Sequence, residues 1–198
     1  MVHVFVAKVN NLPDPMENLK IMKDLPEERI EKIQRIRTVD GRKRSLGAGL
    51  LLEYAKKQYQ DVENIHFNLS HSGEMAICAA SYKAVGCDIE RIKEAPLKVA
   101  ERFFCNEEVQ YLNSVEEGMK TEAFFRLWTI KESYIKMTGK GLGQGLGTFR
   151  VLLNEPVKII MKNRELEVFI KEYQVPGYKL SVCSEDEDFR EELEYIEI

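Results

Sequence analysis

Two short stretches hold the residues whose types and spacing can do chemistry: Gly86-Cys87-Asp88-Ile89-Glu90 and Trp128-Thr129-Ile130-Lys131-Glu132-Ser133-Tyr134-Ile135-Lys136. Along a strand, side chains alternate faces, so Asp88 and Glu90 project together while Cys87 and Ile89 face the other way. Two adjacent carboxylates repel unless a cation sits between them. Along a helix, residues four apart share a face, so Trp128, Glu132 and Lys136 form one stripe that can face the acidic pair and complete a site. Three carboxylates without histidine or thiol partners suit a hard cation, Mg²⁺ most readily, which usually shares its shell with substrate phosphates. An arbitrary Asp-x-Glu is more often the solvated face of an edge strand. Gly86, which permits a close backbone approach, and the apolar alternate positions favour acids aimed at something specific. A solvated, salt-bridged helix face accounts for Lys131, Lys136 and Lys140 taken alone. Trp128 on the stripe argues for partial burial, where an unpaired acid is costly.

Other polar groups are less specific. Adjacent residues in Ser70-His71-Ser72 point to opposite faces and show no triad order, so a hydrolase is not indicated. His71 is open to two readings, a phosphate contact or a satisfied structural histidine. Arg44, at the start of a helix, reads by itself as a surface cation. The glycine-rich run Gly139–Gly147 follows a helix instead of opening one and matches no nucleotide loop; it reads as a tight turn bordering the site.

The elements that must position these groups follow from periodicity. Strands are expected at 3–9, 66–69, 74–80 and 84–92, and again near 149–153, 157–161, 167–173 and 178–183. Helices are expected from Pro26 through Ile36, over 42–59 with Leu46, Leu50 and Tyr54 in register, over 96–113, and over 121–138 ending at Gly139. Strand, helices, strands thus occur twice, which suggests two similar lobes, 1–83 and 84–198, with the site at their junction. Ala76-Ile77-Cys78-Ala79 and Ser181-Val182-Cys183-Ser184 are a faint echo of one another in the last strand of each half.

The 198 residues suffice for one large domain or two small lobes, and 44% hydrophobic with 31% charged residues is ordinary globular composition. A net charge of -4 and a pI near 5.6 argue against broad nucleic-acid binding. The four cysteines show no zinc or redox spacing and read as reduced core thiols. No apolar run approaches a membrane span and the N-terminus lacks a signal-peptide pattern, so a cytoplasmic protein is expected.

Taken together, Phe67-Asn68-Leu69-Ser70-His71-Ser72, Gly86-Cys87-Asp88-Ile89-Glu90 and the run from Trp128 through Leu142 resemble the three hallmark motifs of the surfactin-synthetase-type 4′-phosphopantetheinyl transferases, in order and separation. The resemblance implies the fold of that family, an α/β (α+β) monomeric pseudo-dimer of two similar lobes. It implies transfer of the phosphopantetheine arm of coenzyme A to a serine of an apo carrier protein, releasing adenosine 3′,5′-bisphosphate. By motif, Asp88, Glu90 and Glu132 are the implied Mg²⁺ ligands. Glu132 is also the candidate base, Asp88 and Lys136 complete the catalytic set, and Lys136 attends the leaving phosphate. Lys131 supports the site from beside it. Ser70, His71 and Arg44 are the implied coenzyme A contacts, together with Lys131 and Lys136. The family's Gly-Lys-Pro segment is missing: only Gln60-Asp61-Val62-Glu63-Asn64-Ile65 separates helix from strand, and the basic cluster expected at 27–32 is thinned by Glu28 and Glu31. Either weaker 3′-phosphate binding or reliance on Arg44 with Arg42 or Lys43 is expected. Segment 91–104, with Arg91, Lys93, Lys98, Arg102, Phe103 and Phe104, is the candidate surface for an acidic carrier; a core helix with a solvated basic face is the alternative. Two other activities stand beside transfer: a coenzyme A-binding protein of this fold without transferase activity, and a Mg²⁺-dependent nucleotide phosphohydrolase.

Overall fold

A computed structural model describes residues 1–60 and 62–198, the side chains of Leu142 and Gln144 excepted; Asp61, in the short connection noted above, lies outside the described residues. The elements are β1 (His3–Lys8), α1 (Glu27–Arg35), α2 (Val39–Gln58), β2 (His66–Ser72), β3 (Met75–Ser81), β4 (Val85–Arg91), α3 (Leu97–Phe103), α4 (Asn106–Ser114), α5 (Glu117–Thr138), β5 (Arg150–Leu152), β6 (Lys158–Met161), β7 (Arg164–Glu165), β8 (Phe169–Val175), β9 (Tyr178–Ser184) and β10 (Glu194–Tyr195). The fold is mixed α/β.

Strand order explains how the parts meet. The first sheet runs β10-β1-β3-β2 and the second β4-β9-β8; a small third sheet, β5-β6-β7, lies after α5. In both larger sheets the opening strand pairs antiparallel with the second strand of a later hairpin: β1 with β3, and β4 with β9. Cys78 and Cys183 therefore sit on central strands, fully buried. β3 is buried at every residue, a consequence of its place between two strands with packing on both faces. β2 lies against β4, where alternate polar side chains of one reach the backbone of the other.

Local chemistry sets the helix ends. α2 begins earlier than its apolar stripe suggests because the Thr38 side chain accepts a hydrogen bond from Gly41 N–H at 3.2 Å. The helical stretch expected over 96–113 is two helices, since Phe104 turns extended and Cys105 opens α4 with Glu108 bonding back to its N–H. α5 stops at Gly139, whose φ of 67° is the left-handed conformation a glycine adopts freely. Among the described residues, no helix is long and apolar enough to cross a membrane.

A candidate group-transfer cleft between β2, β4 and α5

The cleft depends on one glycine. A Cβ at Gly86 would lie 2.1 Å from Ser133 O and 2.3 Å from Met137 N, so only glycine lets α5 lie directly on β4. Lys136 follows Ser133 by less than a turn, and this contact delivers its ammonium to the Asp88 carboxylate at 2.7 Å. Strand alternation does the rest: Cys87 and Ile89 enter the core, whereas Asp88 and Glu90 line a cleft of about 490 Å³. Trp128, Glu132 and Lys136 line it from α5, Leu69, Ser70 and His71 from β2, and Arg29 and Lys32 from α1.

β2 holds β4 in place by a repeating device. Asn68, Ser70 and Ser72 share one face of the strand, and their side-chain oxygens accept from the N–H groups of Cys87, Ile89 and Arg91 at 3.0, 3.3 and 3.1 Å. The two serines then donate onward, Ser70 to Asp88 Oδ1 at 2.8 Å and Ser72 to Glu90 Oε2 at 2.6 Å. Sequence reasoning missed this stitching, although hydrogen-bonding residues at every second position were its signal. Lys136 Nζ donates to Ser70 Oγ and the Cys87 carbonyl, both at 3.1 Å, besides Asp88, so its three protons are all engaged.

The electrostatics mark the cleft as unfinished. Burial pushes the Asp88 carboxyl above its ordinary range, with Lys136 and Ser70 opposing. Burial also raises Glu90 and Glu132, and the neighbouring carboxylates add to the rise. For Lys136, burial is outweighed by Asp88 and its other anionic neighbours, so its pKa rises. Asp88 Oδ2 is shielded from solvent and has no hydrogen-bond partner. A buried acceptor in that state is costly and points to a missing ligand. Asp88, Glu90 and Glu132 supply oxygen donors of the kind a hard divalent cation takes, and Asp88 Oδ2 is unpartnered, but among the described residues no three potential ligands stand together closely enough to hold one.

Several sequence expectations need correction. Lys131 is not in the cleft: it is fully buried on another face of α5, its Nζ donating to Glu108 Oε1 at 2.7 Å and to the Phe149 carbonyl at 2.8 Å. A residue beside Glu132 on a helix points about 100° away from it. Arg42 is not free for a phosphate, because Asp14 takes its guanidinium and the carbonyls of Ile36 and Arg37 take a further N–H. Lys43 bonds the Asn10 carbonyl. Arg29 and Lys32, i and i+3 on α1, stand at the cleft instead, a spacing obscured in the sequence by the acids between and beside them. Arg44 is half-buried on α2, and its charge, with those of Lys136 and Lys32, helps burial lower the pKa of His71. Phe104 is core, stacked on Phe124, whereas Lys98, Arg102 and Phe103 are exposed on α3.

The chain belongs to the 4′-phosphopantetheinyl transferase superfamily, whose sequence profile matches residues 84–183. It is 40% identical over 144 residues to 4′-phosphopantetheinyl transferase Sfp of Bacillus subtilis (strain 168), covering 71% of this chain and 64% of that protein. To 4′-phosphopantetheinyl transferase gsp of Aneurinibacillus migulanus it is 46% identical over 123 residues, 61% of this chain and 52% of the relative. The chain thus spans less than two thirds of the length of these curated relatives. The solved holo-[acyl-carrier-protein] synthase (AcpS) of Thermotoga maritima aligns with 51% of this chain and 61% of its own at TM-score 0.43 and 16% identity.

Proposed function

We propose that the chain transfers the 4′-phosphopantetheine arm of coenzyme A to a serine of an apo carrier protein, giving the holo-carrier and adenosine 3′,5′-bisphosphate. The observation that carries this reading is the orphaned, buried Asp88 Oδ2 in a cleft shared with Glu90 and Glu132. Family membership and the names of the relatives support it. In the transfer, the serine Oγ–phosphorus bond forms as the bond from that phosphorus to the bridging pyrophosphate oxygen breaks, and the electron pair leaves with adenosine bisphosphate. Glu132, whose pKa burial raises, takes the hydroxyl proton. Asp88, Glu90 and Glu132 would hold Mg²⁺, which when bound supplies positive charge to the pyrophosphate. Lys136 presents its charge to the leaving oxygens, its N–H groups being engaged by protein. Arg29, Lys32, His71 and Arg44 supply the positive wall for the nucleotide phosphates, with Ser70 acting through Asp88.

In the same reading the two halves divide near Lys83 as similar lobes, on the ground that β1-β3-β2 and β4-β9-β8 share one strand order, with β10 from the C-terminal half adding a fourth strand to the first sheet. The exposed Lys98, Arg102 and Phe103 meet an acidic carrier. The enzyme works as a cytoplasmic monomer without nucleic acid or membrane, and its four free cysteines suit a reducing compartment. Intact-mass analysis of apo carriers incubated with coenzyme A and Mg²⁺ tests the proposal. The expected result is a phosphopantetheine mass gain that Glu132→Gln reduces by about 10²–10⁴-fold in rate. Coenzyme A binding with no gain on any carrier would favour the binding-protein reading.

A further inference from the structure

We infer that Arg126, Glu172, Thr129 and Ser181 are positioning residues that set the register of α5 on the second sheet, and with it the placement of Glu132 and Lys136 at Asp88. Asp88 on β4 is the cross-strand partner of Ser181 on β9, which is in turn the partner of Glu172 on β8. Directly opposed residues share a face of the sheet, so the three form one polar row across all of its strands. α5 puts one polar side chain on each member of that row. Lys136 Nζ donates to Asp88 Oδ1 at 2.7 Å, the Thr129 and Ser181 hydroxyls meet at 2.9 Å, and Arg126 donates to Glu172 through Nε and Nη2 at 2.8 and 2.7 Å. The contact made by Lys136 is therefore the end rung of a ladder.

The middle rung is sealed in the core. Thr129 and Ser181 are buried, and Thr129 Oγ1 gives its own proton to the Arg126 carbonyl at 3.2 Å while it accepts from Ser181. Two buried hydroxyls add little net stability, because apolar groups of the same shape in both places are nearly neutral. What they supply is direction. Apolar side chains tolerate a slide, whereas a hydrogen bond weakens steeply with distance and angle. A one-residue step of the helix is a shift of about 1.5 Å and a turn of about 100°, which breaks every rung at once. The setting that satisfies the whole row is the one that brings Lys136 to Asp88 and turns Glu132, three residues beyond Thr129, into the cleft. Gly86 lets the helix approach, and the ladder fixes where along and about its axis it rests. Arg126, Thr129, Ser181 and Glu172 do not line the cleft, so they act on its chemistry through α5.

For its kinetic readout the inference rests on the transfer reading above. The proteins are wild type, Thr129→Ser, Thr129→Val/Ser181→Ala and Arg126→Leu/Glu172→Leu; each double variant removes both partners of a rung and strands no polar side chain. The full chain is assayed with coenzyme A, Mg²⁺ and a panel of apo acyl and peptidyl carrier proteins. Intact mass under single-turnover conditions gives the rate of transfer, steady-state assays give KM for both substrates, and circular dichroism gives the thermal midpoint. A crystal structure of Thr129→Val/Ser181→Ala gives the distance from Lys136 to Asp88. In that variant the rate should fall about tenfold, with both KM values within about twofold of wild type and the midpoint close to it. Thr129→Ser, which keeps the hydroxyl, should hold the wild-type rate. Arg126→Leu/Glu172→Leu, farther from the cleft, should lower the rate about threefold with the same split between rate and KM. In the crystal structure Lys136 Nζ and Asp88 Oδ1 should stand more than about 3.5 Å apart. A wild-type rate in either folded double variant, a loss confined to KM, or an unchanged distance from Lys136 to Asp88 would overturn the inference and leave the transfer reading standing. A wild type that modifies no carrier would overturn the transfer reading instead, and the distance alone would then decide whether the ladder positions α5.

Discussion

Helix α5 carries two lysine–carboxylate pairs little more than a turn apart, and they are built in opposite ways. Lys131 and Glu108 are sealed from solvent, and each of their side-chain polar atoms has a hydrogen-bond partner: Glu108 also accepts from Val151 N–H at 2.8 Å and Cys105 N–H at 3.2 Å, and Lys131 lies over the Phe149 ring. Lys136 and Asp88 meet at the same 2.7 Å, yet one carboxylate oxygen is left without a partner and two more acids crowd the cleft. The first pair joins α4, α5 and β5. The second leaves a buried acceptor unpaired, a cost in stability of the kind functional sites carry.

The two pairs should respond to substitution in opposite ways. The largest effect is expected from Asp88→Ala, which should lower carrier modification by about 10²–10³-fold while the thermal midpoint stays near that of wild type, read by intact mass and by circular dichroism. Lys131→Met should do the reverse, costing about 3–5 kcal/mol in urea unfolding because it strands the Glu108 charge in the core. Adding Glu108→Leu should recover part of that loss. If Lys131→Met left stability intact and abolished transfer, the two roles would have to be exchanged.

Gly86→Ala comes next. Its methyl would meet the α5 backbone at Ser133 O and Met137 N, so α5 and β4 must separate, at about 1–3 kcal/mol by unfolding and with weakened transfer from the displaced Lys136. The smallest effect sharpens the contrast from outside the cleft. The Asp14 carboxyl is held down to about 2 by its hydrogen bond to Arg42, below its ordinary 3.8. Because the folded value is the lower one, the pair's contribution is full above the ordinary value and fades as pH falls from about 4 through about 2. Asp14→Asn should therefore melt slightly earlier than wild type at neutral pH, and the two melting curves should converge in strong acid.

Much of the cleft was legible because two periodicities carry it. Alternation along β4 paired Asp88 with Glu90, and the four-residue step along α5 aligned Trp128, Glu132 and Lys136; all five line one cleft. Element types followed from the same periods, apart from the two-residue strands β7 and β10 and the 3₁₀ turns at 19–22, 141–144 and 146–148, which are too short to show one. What local pattern could not supply was the choice of partner across elements. Lys131 looks like a site residue until Glu108 is placed beneath it, and Arg42 looks like a free cation until the loop at Asp14 closes over it. The roles of Asn68 and Ser72 likewise require knowing that β2 lies beside β4.

The most direct test of the central claim is to follow adenosine 3′,5′-bisphosphate release from coenzyme A together with carrier mass, in one reaction, for the chain and for Asp88→Asn. Release is expected only when an apo carrier is present, one equivalent for each holo-carrier formed, with loss of both signals in Asp88→Asn. Release without a carrier, or transfer that survives Asp88→Asn, would contradict the claim.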